Sequence, residues 1–169
     1  VSTFLRHASK QDCVSCHQQF LPMAAVGSAK KLNVSIDTQA EQQLIDMVQA
    51  GELPMEFNWE AMFHPDAAQT KGYALLGDAL AEIPANDSID CWVQHLSVIQ
   101  CADGRWLNNL PRPPIQTGDI GATALAIHAL KTYPLPGRKA QYAKQIERAG
   151  AWLSTVKPQN TDSRIYQLL

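Results

Sequence analysis

Apolar positions along this chain recur at three- and four-residue intervals, and the strict alternation that strands need is almost absent. The pattern predicts an all-α chain. A first long helix is expected from near Cys16 through FLPMAAVGSAKKL to the Asn33 region. Asp37 is placed to cap a second, TQAEQQLIDMVQAG, with Leu44, Met47 and Val48 on one face and Gly51 as its stop. The stretch 52–65, ELPMEFNWEAMFHP, reads as an irregular aromatic loop. A third helix, DAAQTKGYALLGDALAEI, is closed by Pro84, and Asp87 or Ser88 is placed to cap a fourth, IDCWVQHLSVIQ. After the loop CADGRWLNNLPRPPIQTGD come a fifth helix, IGATALAIHALKTY, with Asp119 as its N-cap, and a sixth, RKAQYAKQIERAGAWLSTV, ended by Pro158. A short seventh is expected after Asn160.

Two of these helix pairs resemble each other. YALLGDAL at 73–80 matches TALAIHAL at 123–130, and HLSVIQ at 95–100 matches WLSTVK at 152–157. The second alignment needs seven more residues than the first, and the PLPGRKA turn supplies them. Two successive helical hairpins of one kind would produce this pattern. The expected organisation is a single helical domain over 1–169, with 66–169 forming the hairpins and 1–65 a separate N-terminal segment and loop.

Composition narrows the partners. A chain of 169 residues, 46% hydrophobic and 18% charged, can bury a core and is not disordered. The net charge is −2 with no basic block, which argues against nucleic acid as a partner. The longest apolar runs, such as ATALAI at 122–127, are too short to span a membrane. Because the chain opens abruptly at Val1, it is read as a mature or trimmed piece of a longer precursor.

The chemistry concentrates in Cys13-Val14-Ser15-Cys16-His17. With four Cys and five His in the chain, Cys-x-x-Cys-His would arise by chance in roughly three such chains per thousand. In a c-type haem site the two thiols add across the haem vinyls as thioethers, and the adjacent His binds iron from beneath the ring. A zinc site would need two further ligands at matching spacing, and Cys91 and Cys101 do not form such a pair. A thioredoxin-like dithiol expects a βαβ setting, and a Cys13–Cys16 disulfide leaves His17 without a role. Cys91 and Cys101 are expected to be buried free thiols, since ten residues of mostly helical chain hold them about 15 Å apart. CWVQH at 91–95 has one Cys and the wrong spacing for a second haem.

The expected cofactor is therefore one covalent haem c, held by Cys13 and Cys16 with His17 as proximal iron ligand. For the distal position, Met23 lies too close to His17, on the same expected helix. The loop at 52–65 is better placed, and Met55, following Pro54, is the first candidate, with His64 and Met62 as alternatives. The function expected is one-electron transfer with a redox partner protein or within a larger assembly. The alternative is a non-haem helical binding module with a Cys13–Cys16 disulfide. Trp59, Trp92, Trp106, Trp152, His95 and His128 read as core or bracing residues, His7 as a solvated terminal residue, and LPRPPIQ as a stiff connector.

Residues 100–106, QCADGRW, resemble the Gln-x-x-Asp-Gly-x-Trp repeat of squalene–hopene cyclases and related prenyltransferase-like proteins. Physically, Gly104 permits a positive-φ turn, Trp106 can fold back as an aromatic plug, and Gln100 can bond the orphan amides of a neighbouring helix start. More broadly, nearly the whole chain resembles bacterial exported squalene-cyclase-like proteins that carry a Cys-x-x-Cys-His segment. The resemblance implies an α/α toroid-like hairpin scaffold and a periplasmic or extracellular location. It does not imply cyclase activity. NDSID at 86–90 does not match the Asp-x-Asp-Asp acid cluster of class II cyclases, no prenyltransferase-like zinc ligands are present, and KPQNTDSR at 157–164 lacks the Gly and Trp of the repeat.

Overall fold

The computed structural model describes residues 19–50, 66–112, 115, 116 and 118–169. Among them are seven α-helices: α1 Leu21–Lys31, α2 Thr38–Ala50, α3 Ala67–Leu80, α4 Asp87–Val98, α5 Asp119–Thr132, α6 Lys139–Thr155 and α7 Thr161–Tyr166. The only β pairing among the described residues is an isolated bridge between Arg112 and Gln116. The all-helical expectation holds, and Trp59 and the rest of the loop at 52–65 lie outside the described residues.

The described residues fall into two compact units, one taking 19–50 and 73–84, the other 66–72 and 85–169. In the first, α1 follows a π-helical turn at Gln19 and Phe20 and begins without a side-chain cap. Pro22 in its first turn offsets this, since the amide it lacks would have had no helical partner. Met23, Ala24 and Phe20 are buried, as are Leu44 and Val48 on α2, while Met47 is half-buried. Asp37 caps α2 as expected, its Oδ1 accepting from the amides of Gln39 and Ala40 at 3.0 and 3.1 Å. A β-carbon on Gly27 would lie 2.0 Å from the Leu80 carbonyl oxygen, so only glycine lets α1 pass the end of α3 this closely.

Two helices of this unit end alike. Asn33, at φ 57°, closes α1 with amide bonds from Asn33 to Lys30 and from Val34 to Ala29. Glu82, at φ 60°, closes α3 with bonds from Glu82 to Ala79 and from Ile83 to Asp78. Both are Schellman turns, and the second stops α3 at Leu80, before the expected Ile83–Pro84 boundary. Asn tolerates the left-handed conformation, whereas Glu adopts it at a steric cost.

In the second unit α5 packs against α4, α6 and α7. α5 is buried on nearly every side from Ile120 to Ala126, the pattern of a helix enclosed by others, while α4 and α6 each keep a solvent face. Two helix starts differ from expectation. Asn86, not Asp87 or Ser88, caps α4, its side chain accepting from the Ile89 amide at 2.9 Å. Gly118 holds the N-cap of α5, so Asp119 is its first helical residue and its carboxylate serves elsewhere. α7 begins after Asn160, as expected, and Asn160 caps it by accepting from Ser163 at 2.8 Å.

Arg112, near the end of the loop that follows α4, is tied down. Its amide donates to the Gln116 carbonyl at 2.8 Å, and its guanidinium meets the fully buried Asp66 carboxylate at 2.6 Å.

Candidate functional site

The turn after α4 is a sealed joint. Cys101 and Gly104 close it through amide bonds to the Arg105 and Cys101 carbonyls. Gly104 sits at φ 98°, and a β-carbon there would lie 2.5 Å from the carbonyl oxygen of Arg148 on α6, so glycine is required twice over. Trp106 is fully buried; its indole N–H donates to the Leu96 carbonyl at 2.7 Å and its amide to Thr123 Oγ1 on α5 at 2.9 Å. Leu96 and Ser97 carry carbonyls that the last turn of α4 leaves without helical partners. Trp106 takes the first, and Gln145 from α6 takes the second at 2.6 Å.

The plug expected of Trp106 is therefore present, but Gln100 works differently from expectation. Its side-chain amide donates to the carbonyls of Gly104 and Gln145, at 2.8 and 2.9 Å, and its oxygen accepts from Arg148. It bonds one carbonyl of its own turn and one in the body of α6, not the amides of a helix start, because the chain arrives beside the middle of that helix. Asp119 accepts from the Asn108 amide at 2.8 Å and lies 3.4 Å from the Arg105 guanidinium, pinning the far side of the turn.

The expected haem-binding residues, Cys13, Cys16 and His17, lie outside the described residues, as do Met55, Met62, His64 and His7. Met23, set aside as a ligand on sequence grounds, is buried in α1. Cys91 and Cys101 are free, as expected, but only Cys91 is buried; Cys101 is partly exposed because it follows the end of α4. Among the described residues no three His, Cys, Asp or Glu side chains cluster as metal ligands would. No helix among them is long and apolar enough to cross a membrane.

One polar cluster has no counterpart in the sequence reading. Lys71 of α3 is 7% exposed, and its ammonium lies 2.5 Å from Nδ1 of His95 on α4. An ammonium only donates, so Nδ1 accepts and the imidazole proton sits on Nε2. Burial pushes the Lys71 amine down to about 8, with the nearby Cys91 opposing the shift. Burial, then the Lys71 charge, pushes His95 down to about 4. Burial raises the Cys91 thiol. His95 is thus a buried core histidine, as expected, but its partner is a lysine. The only sequence signal was that Lys71 and Asp78 are the two charged residues in an otherwise uncharged α3.

No family model, curated protein or solved structure matches this chain.

Proposed function

We propose that this chain is a c-type cytochrome domain holding one covalent haem on an all-helical scaffold and passing single electrons to a redox partner or within a larger assembly. The observation that carries the reading is Cys13-Val14-Ser15-Cys16-His17. The donor set fits the group: two thiols for thioether bonds, and an imidazole at the one adjacent position suited to a proximal ligand. Met55 is the proposed distal ligand, with His64 or Met62 in its place if it fails. When bound, the haem supplies a one-electron couple. Cys13 and Cys16 hold it against loss, and His17 sets the electron density at iron. The scaffold is proposed to be of the squalene-cyclase-like, toroid-forming kind, and the protein to be exported to the periplasm or cell exterior.

The test is attachment chemistry. Protein made with c-type maturation factors should give a reduced pyridine haemochrome band typical of two thioethers. Cys13→Ser and Cys16→Ser should each shift that band, because one vinyl stays unsaturated. His17→Ala should change the iron spin state. An unchanged band in both cysteine variants contradicts the assignment. A thioether distal ligand would add the weak near-infrared sulfur-to-iron band, lost in Met55→Ala.

A further inference from the structure

Lys71 is an amine that the proposed electron transfer does not use, and its setting is unlike that of a structural lysine. Buried ammonium groups are ordinarily paired with carboxylates. Asp66, just before α3, is paired with Arg112, whose guanidinium also lies 3.5 Å from Thr70 Oγ1. What faces Lys71 from α4 is an imidazole and a thiol, His95 and Cys91, spaced one helical turn apart and both buried. From α5 the neighbouring contact is apolar: Leu125 packs against Gly72 so closely that a β-carbon there would lie 2.7 Å from it. The amine therefore has a proton acceptor 2.5 Å away and, among the described residues, no ion pair with a carboxylate.

We propose that Lys71 is a nucleophilic amine that condenses with small aldehydes, with Nδ1 of His95 carrying the proton between nitrogen and oxygen. The neutral amine adds to the carbonyl carbon; a C–N bond forms and the carbonyl π electrons move to oxygen. His95 takes a proton from the nitrogen and delivers it to that oxygen. The oxygen leaves as water with the second N–H proton, and C=N remains, so one amine and one aldehyde give one imine and one water. Burial favours this product, because an imine removes the ammonium charge that the site solvates poorly. The slight exposure of Lys71 restricts the substrate to short-chain aldehydes. At pH 8 about half of such an amine is neutral, against about 0.3% of an ordinary lysine, which is a difference of about a hundredfold.

The experiment is reductive alkylation of the purified full chain with acetaldehyde and cyanoborohydride, followed by peptide mass spectrometry. Lys30, Lys31, Lys131, Lys139, Lys144 and Lys157 serve as internal references, because all are exposed. At pH 8 Lys71 should be alkylated faster than every reference, by up to about a hundredfold, and its rate should level off above pH 8. His95→Leu should slow Lys71 about tenfold or more and leave the references unchanged. Should His95→Leu fail to fold, the wild-type pH profile decides alone. Alkylation of Lys71 no faster than the references, or a rate still climbing at pH 10, overturns the proposal. The readout is the same with or without haem, so it stands or falls apart from the cytochrome reading.

Discussion

Cys13–His17 and Gln100–Trp106 are the two short signatures of this chain, and they address different partners. Every group that Gln100–Trp106 needs is supplied by the chain: the Leu96 and Gln145 carbonyls, Thr123, Arg148 and the space beside Ala149. Its letters are explained by packing and hydrogen bonds alone. On the proposed reading, Cys13-Val14-Ser15-Cys16-His17 instead addresses a haem, and its meaning would lie in thiol and imidazole chemistry. A motif answered from within is architecture; one that took a haem would be function. Substitutions in the first should therefore move stability and leave the cofactor alone, and substitutions in the second should do the reverse.

The largest effect should come from Trp106→Ala. It removes a fully buried indole and leaves the Leu96 carbonyl unbonded, so stability should fall by about 3–5 kcal/mol. Chemical denaturation measures this, and an unchanged midpoint would show that the turn is not the joint described. Any haem attached to the variant should keep its thioether signature, which is what separates the two motifs.

A somewhat smaller effect concerns pH and a third kind of group, polar and buried but named by no motif. Lys71 has a folded value near 8 against 10.5 when unfolded. Between those limits the unfolded chain binds the proton and the folded chain does not, so stability rises with pH, by about 3 kcal/mol across the window. His95, near 4 when folded against 6.5 unfolded, acts in the acid range. Its contribution is complete above pH 6.5 and is lost as pH falls toward 4. Lys71→Met should abolish the alkaline rise and stabilise the protein at pH 7. Parallel stability curves for variant and wild type from pH 7 to 10.5 would contradict this.

Gly104→Ala should cost about 1–3 kcal/mol, since alanine must hold φ 98° and its β-carbon meets the Arg148 backbone. Thermal melting checks it; a variant melting with wild type would break the claim that this turn requires glycine.

These regions also differ in how well the sequence could be read. The helices were legible because apolar spacing and caps are local: Asp37 and Asn160 bond amides two and three residues away. Gly104 and Trp106 were legible because a turn and a large aromatic leave few alternatives. The cap of α4, Asn86, lies one residue before Asp87 and two before Ser88, although Pro84-Ala85-Asn86 repeats the Pro158-Gln159-Asn160 signal that opens α7. The ending of α3 at Glu82 was hidden, because glutamate is a poor left-handed residue and the neighbourhood imposes it. Gln100 was assigned the wrong bonding partners, and Lys71 was missed, for one reason. Their partners lie 45 and 24 residues away, and only the tertiary fold brings them together.

The repeat suggested by sequence has a physical echo. Leu96 and Leu153 align, and both present last-turn carbonyls taken by a side chain: Trp106 in one hairpin, Gln167 at 2.9 Å in the other. The later stretch lacks the Gly and Trp, yet the same orphan group is satisfied with an amide in place of an indole.

The central claim is that Cys13 and Cys16 hold haem covalently, and the absorption spectrum after acid–acetone extraction tests it most directly. Protein produced alongside c-type maturation factors should keep its Soret band in the precipitated chain, and Cys13→Ser/Cys16→Ser double substitution should abolish it while the helical circular dichroism is unchanged. A colourless wild-type protein, or colour that leaves entirely with the solvent, would contradict the account.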